Sequence, residues 1–302
     1  MIEARGLGKR YGEMVAVDDL SFDVRPGVVT GFLGPNGAGK STTMRLMLGL
    51  DRGSGRTTFD GYAYPELRDP VRSVGVLLDA GAVHPARRAR AHLRMVARGA
   101  GLSGRRVDEV LDLVGLTAAA DRRAGGFSLG MRQRLGLAVA LLGDPGTLIL
   151  DEPANGLDPD GGRWLRELLR RLAAEGRTIL VSSHLLNEMT LLADELVVIG
   201  AGTLIAAEPL PAFVERHCAP RVVAHTDRPR ELAEALATAG YSGVRIGPEG
   251  AVIVDGQDRQ GIAALALRAG VLLTGLSQEQ SSLEQAYFQA TSATARFRGR
   301  AA

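Results

Sequence analysis

Two short stretches of the chain carry residue types whose spacing suits phosphate chemistry. Gly34-Pro35-Asn36-Gly37-Ala38-Gly39-Lys40-Ser41, followed by Thr42, lies between an apolar run and a stretch of helical periodicity. Its glycines let backbone N–H groups turn inward around phosphate oxygens, and the N-terminus of the following helix adds positive potential. In such a loop Lys40 reaches the β- and γ-phosphates and the Ser41 hydroxyl is a ligand for Mg²⁺. The second stretch, Leu148-Ile149-Leu150-Asp151-Glu152, is an apolar strand ending in two acids. Asp151 can hold Mg²⁺ through water, and Glu152 is placed to orient or deprotonate an attacking water.

Composition narrows the setting. The chain has 302 residues, enough for two domains, and a net charge of +2, too small to argue for nucleic acid as a partner. Its one cysteine, Cys218, allows no internal disulfide and fits a reducing cytosol. No apolar run approaches the ~18 residues of a membrane span, and Met1-Ile2-Glu3-Ala4-Arg5-Gly6 has no apolar region of a signal peptide. Of 36 basic residues only Lys9 and Lys40 are lysines. A chain that writes arginine almost everywhere keeps lysine at 40, where a compact ammonium and not a guanidinium fork is wanted. His84 and His92 lack metal-ligand partners at suitable spacing, and Trp164 reads as packing.

These residues need elements to position them. Leu20, Phe22 and Val24 alternate with polar residues as a half-buried strand, and residues 28–33 form a second one leading into the glycine loop. Met44, Met47 and Leu48 follow at helical spacing as core. Residues 86–143 read as mostly helical, with Val107, Val110, Leu111 and Val114 on one face and Gly115 as a stop. Strands at 147–150, 178–182 and 194–199, separated by a helix at 160–174, predict a parallel sheet covered by helices. Beyond about 205 the order becomes strand 221–226, helix 229–239, hairpin 244–254, helix 259–269 and strand 271–276. That β-α-β-β-α-β order predicts a small ferredoxin-like α+β domain, followed by an amphipathic helix at 281–290 and a disordered tail at 291–302.

Phe127-Ser128-Leu129-Gly130-Met131-Arg132-Gln133-Arg134 precedes the acidic strand and resembles the signature loop of ABC ATPases, usually Leu-Ser-Gly-Gly-Gln. Asn155-Gly156-Leu157-Asp158 resembles the D-loop of that family, His184 in Val181-Ser182-Ser183-His184 its switch histidine, and Tyr11 in Lys9-Arg10-Tyr11-Gly12 its adenine-stacking aromatic. The resemblance covers about residues 2–210. It implies a P-loop NTPase fold of ABC type, with a helical subdomain at 86–143 and an antiparallel β subdomain, within a domain at 1–215. The accessory domain is then 216–290.

The resemblance also implies a head-to-tail homodimer with two ATP molecules between the copies. Lys40, Ser41, Asp151, Glu152 and His184 of one copy would face Ser128 and Gly130 of the other. Where the family usually has glutamine, at the end of the strand before the helical region, this chain has Asp79, a candidate contact for Mg²⁺. Leu129 and Met131 replace the usual glycine and glutamine. In the family the region around Ala86-Arg87-Arg88-Ala89-Arg90 accepts a coupling helix of a separate membrane permease, which places the ATPase on the cytoplasmic face of the membrane. The signature's form, the acid at 79 and the C-terminal Ser282-Leu283-Glu284-Gln285-Ala286-Tyr287-Phe288 are similar to drug and antibiotic exporter ATPases of the daunorubicin-resistance type. Two alternatives stay open: a soluble ABC ATPase acting on ribosomes or DNA, and a nucleotide-binding regulatory module with little hydrolysis.

Overall fold

The computed structural model describes residues 1–217, 220–256, 258–280 and Tyr287. The chain begins with β1 (Ile2–Tyr11), β2 (Met14–Val24), β3 (Val29–Leu33), α1 (Lys40–Met47), β4 (Ser54–Phe59), α2 (Pro70–Ser73) and β5 (Val74–Leu77). Three helices follow, α3 (Ala89–Gly99), α4 (Gly104–Leu113) and α5 (Leu129–Leu141). Next come β6 (Thr147–Leu150), α6 (Pro159–Ala174), β7 (Thr178–Ser183), α7 (Leu186–Leu192), β8 (Glu195–Gly200) and β9 (Thr203–Pro209).

Consecutive apolar residues give strands covered on both faces, as a parallel sheet requires. Every residue of β3, β6 and β7 is buried. These strands lie in a six-stranded sheet of order β5-β6-β7-β3-β8-β9, parallel except for β9 at its edge. A separate antiparallel sheet has the order β2-β1-β4. One apolar cluster joins Ile2, Leu20, Phe22 and Phe59 of that sheet to Met44 and Met47 of α1 and to Phe32, Ile149 and Leu180 of the parallel one. The rings of Phe22 and Phe32 stack at 5.5 Å. Helix α1 is thus fixed through its methionines, and with it the loop at its start.

β1 and β4 are strands that the pattern reading did not find. β1 shifts register against β2 three times within Ala4–Arg10, so apolar and polar residues lose their strict alternation. In the helical region Val107, Val110, Leu111 and Val114 are fully buried. Gly115, at φ 68, turns the chain out of α4.

The chain divides into two compact units, the first ending at Leu210 and the second running Pro211–Ala290. From that boundary on, α8 (Leu210–His217) leads into β10 (Pro220–Thr226), α9 (Pro229–Thr238), β11 (Arg245–Ile246), β12 (Val252–Asp255), α10 (Arg259–Arg268) and β13 (Leu273–Gln280). The four strands pair antiparallel in the order β11-β12-β10-β13. Val222, Ala224, Val252 and Val254 of the sheet form a core with Leu232 and Leu236 of α9 and Ile262 and Ala266 of α10. The expected helix at 281–290 lies outside the described residues apart from buried Tyr287, as do the expected tail at 291–302 and Cys218.

The two cores predict separable responses. Phe32→Ala should remove about 3–5 kcal/mol from the first unit, the usual cost of a large cavity in a packed core. Hydrogen exchange should report this loss in β3, β6 and β7 while β10 and β12 keep their protection.

Candidate functional site

The three central strands β6, β7 and β3 end at one edge of the parallel sheet, and the candidate residues sit just beyond those ends. After β3 the chain enters the glycine loop. Gly39 stands at φ 103, and a Cβ there would lie 2.5 Å from the backbone oxygen of Ala16. Both facts require glycine, and both bring the loop against β2. Helix α1 starts at Lys40 with no side-chain cap and no acid in its first turn, which leaves its N-terminus open to an anion.

Lys40 is only 7% exposed. Its ammonium donates to the Gly34 carbonyl at 2.7 Å and lies 3.8 Å from a carboxylate oxygen of Glu152. Burial lowers its pKa from the ordinary lysine value, and the nearby Glu152 and Asp151 carboxylates oppose that shift. Ser41 Oγ donates to Asp151 Oδ2 at 2.5 Å. Ser182, on β7, donates its hydroxyl to the other oxygen of Asp151 and accepts the Glu152 N–H at 2.9 Å. The Asp151 N–H donates to the Leu77 carbonyl at 2.7 Å, tying the end of β6 to β5.

Glu152 has φ 49, a left-handed conformation uncommon for a glutamate. Its carboxylate meets His184 Nδ1 at 2.8 Å. Its backbone oxygen accepts from Gln133 Nε2 of α5 at 2.9 Å. Glu188, on α7 close by, has its carboxyl pushed up by burial, with the Ser183 hydroxyl pulling it down and the Glu152 charge adding to the rise.

A cleft of about 610 Å³ is lined by residues 35–42, Asp151, Glu152, Tyr11, Met14, Val15, Ala16 and Ala201. Tyr11, at the end of β1, donates to Asp51 Oδ2 at 3.1 Å, and the Lys9 ammonium stands 4.8 Å from its ring centre. The hydroxyl of Ser41 and the carboxylate of Asp151 are hard oxygen donors of the kind Mg²⁺ takes together with phosphate and water oxygens. Among the described residues no group of three or more His, Cys, Asp and Glu gathers as an all-protein metal site.

Gly34, Asp79, Ser128, Gly130, Asp158 and His184 do not line this cleft. Asp79 instead accepts the Gly81 N–H at 2.6 Å within its own loop. Ser128 caps α5 by accepting the Met131 N–H, and Asp158 caps α6 by accepting the Gly161 N–H. Gly130 lies where a Cβ would come within 2.8 Å of the Gly156 carbonyl, so residues 128–130 pack on the turn before α6 of the same copy. Pattern reading named neither Ser182 nor Gln133 as part of the site. A serine at the end of a buried strand carries no signal by itself, and Gln133 was visible only as one letter of the signature stretch.

Residues 17–155 match the family described as ABC transporter, and residues 220–284 match a domain of unknown function. An uncharacterized ABC transporter ATP-binding protein of Bacillus subtilis, YhcH, is 43% identical over 209 residues, 68% of this chain and 68% of that protein. The bacitracin transport ATP-binding protein BcrA of Bacillus licheniformis is 40% identical over 221 residues, 72% of each chain. A dimeric ATP-binding cassette solved in a post-hydrolysis state with ADP and Pi superposes with a TM-score of 0.62 at 25% identity. That match covers 70% of this chain and 99% of the other.

The lowered pKa of Lys40 fixes the sign of a pH effect. A triphosphate favours the protonated ammonium, so binding raises the Lys40 pKa and takes up protons on the alkaline side. Affinity should fall as pH rises through the free protein's Lys40 pKa, which lies below the ordinary 10.5. Titration calorimetry in two buffers of different ionisation enthalpy should show this proton uptake at alkaline pH and lose it in Lys40→Met.

Proposed function

The chain belongs to the ATP-binding subunits of ABC transporters, and from that premise we propose that it powers export of a drug, antibiotic or other small amphipathic compound through a separate membrane permease. The observation that carries the reading is the meeting of Lys40, Ser41, Asp151 and Glu152 on one cleft, with His184 bonded to the Glu152 carboxylate. BcrA, a bacitracin transport protein, supports the choice of cargo class. No helix among the described residues is long and apolar enough to cross a membrane. In this reading, which rests on the family, the permease is another chain and the ATPase sits on the cytoplasmic face.

The residues divide the chemistry as follows. Backbone N–H groups of the loop at residues 36–41 and the Lys40 ammonium bind the phosphates, and Tyr11 offers its ring to the adenine. Ser41 and Asp151 hold Mg²⁺, which when bound neutralises charge on the β- and γ-phosphate oxygens. Glu152 orients and deprotonates the attacking water, and His184 holds that carboxylate in place. Ser128 and Gly130, with the N-terminus of α5 behind them, face the γ-phosphate bound to a second copy. We assign Asp79 a part beside the ion, its Oδ1 accepting the Gly81 N–H within its own loop. The division into a nucleotide-binding domain at 1–215 and a ferredoxin-like accessory domain at 216–290 belongs to the same proposal. The two compact units and the antiparallel β11-β12-β10-β13 sheet support it.

Glu152→Gln should lower turnover by roughly 10²-fold or more, the scale of lost general-base catalysis, while ATP binding persists. Light scattering or sedimentation should then find a dimer that ATP induces and that does not dissociate. Wild-type turnover should rise when the candidate permease is added in lipid. A permease without effect on turnover would overturn the transport reading, and an active Glu152→Gln would overturn the assignment of the base.

A further inference from the structure

Glu152 is gripped through the backbone on both sides of its Cα. Its N–H is held by Ser182 of β7 at 2.9 Å, and its carbonyl accepts from Gln133 of α5 at 2.9 Å beside the local Asn155 N–H at 3.1 Å, so that Gln133 is the partner that comes from another element. The left-handed backbone between them is strained for a glutamate and persists only where its surroundings hold it. Ser182 belongs to the rigid sheet, since β7 is buried throughout. Gln133 belongs to a helix that begins at the Ser128 cap. The side chain of Gln133 is 5% exposed, so its amide donor has little access to water as a substitute.

Helix α5 is suited to carry a displacement along its length. Leu135, Leu137, Ala138, Ala140 and Leu141 are buried, and the neighbouring Arg134 stacks over Trp164 of α6 at 4.6 Å. Gln133 lies five positions after Ser128, about 7.5 Å along the axis at 1.5 Å per residue. That distance is short enough for the two ends to move as one piece.

We infer that Gln133 is a positioning residue that makes the Glu152 backbone sense the position of α5. A shift of the α5 N-terminus, produced when Ser128 and Gly130 meet triphosphate held by a second copy, then reaches the base at this copy's own nucleotide. The inference rests on the proposed roles of Ser128 and Gly130. It adds a route by which each site reads the occupancy of the other. A Gln133 that merely satisfied a buried carbonyl would affect stability and leave the kinetics of the paired sites alone.

The test uses the full chain, with Gln133→Met as a variant of similar shape that lacks the donor. Turnover, ATP affinity and the Hill coefficient are measured beside wild type and Glu152→Gln. The expected result is a kcat lower by about tenfold, the rate equivalent of one hydrogen bond. KM and ATP affinity stay within about twofold in that outcome, and the Hill coefficient falls toward one. A Met variant with wild-type kcat and cooperativity overturns the inference, as does a loss shared equally by kcat, affinity and thermal stability. Wild type without turnover would count against the hydrolysis reading instead. Hydrogen exchange then decides the contact without catalysis: faster exchange at residues 151–155 in Gln133→Met with α5 unchanged supports the link, and unchanged exchange there overturns it.

Discussion

The carboxylate of Asp151 accepts hydroxyl hydrogen bonds from Ser41 on α1 and Ser182 on β7, while its amide donates to Leu77 of β5. Four elements far apart in sequence are registered to one another by this single residue. A charge-assisted hydrogen bond is stronger than a neutral one, and two of them on one carboxylate fix its plane. The glycine loop, the acidic pair and the β7 terminus therefore share a frame set to within the length of a hydrogen bond. The apolar cluster linking the two sheets through Met44 and Met47 supplies the bulk stability. It cannot supply that precision, because apolar contacts are not directional.

The same edge of the sheet explains what pattern reading could and could not reach. Residues 147–150 and 178–182 announced buried strands because every position in them is apolar or small, and the strands run where the runs lie. The glycine loop was legible because few sequences other than a phosphate cradle need glycine at 34, 37 and 39 followed by lysine. Gly39 shows the cause in its φ of 103 and the backbone oxygen of Ala16 that a side chain would strike. β1 stayed hidden because bulges interrupt its alternation, and β9 because most of its side chains are only partly covered. Ser182 and Gln133 stayed hidden for a different reason. Their partners are backbone and carboxylate groups brought near by topology, and no local pattern marks a side chain whose only task is to hold another residue.

Burial and charge at Lys40 explain why this fold favours a bound anion. An ammonium that is 7% exposed keeps its charge at the expense of hydration, and burial outweighs the two carboxylates near it in setting its pKa. The free site thus holds a cation that its surroundings solvate incompletely, alongside a glutamate in a left-handed backbone. Both are costs borne before any phosphate arrives. A polyanion in the loop adds counter-charge to that of Glu152 beside Lys40, so part of its binding energy relieves a burial penalty already built into the protein. An arginine at position 40 would bring a larger and more weakly hydrated group whose planar fork must find several acceptors. In a chain with arginine at nearly every other basic position, the physical demand for a small, poorly solvated ammonium is the reason that lysine remains here.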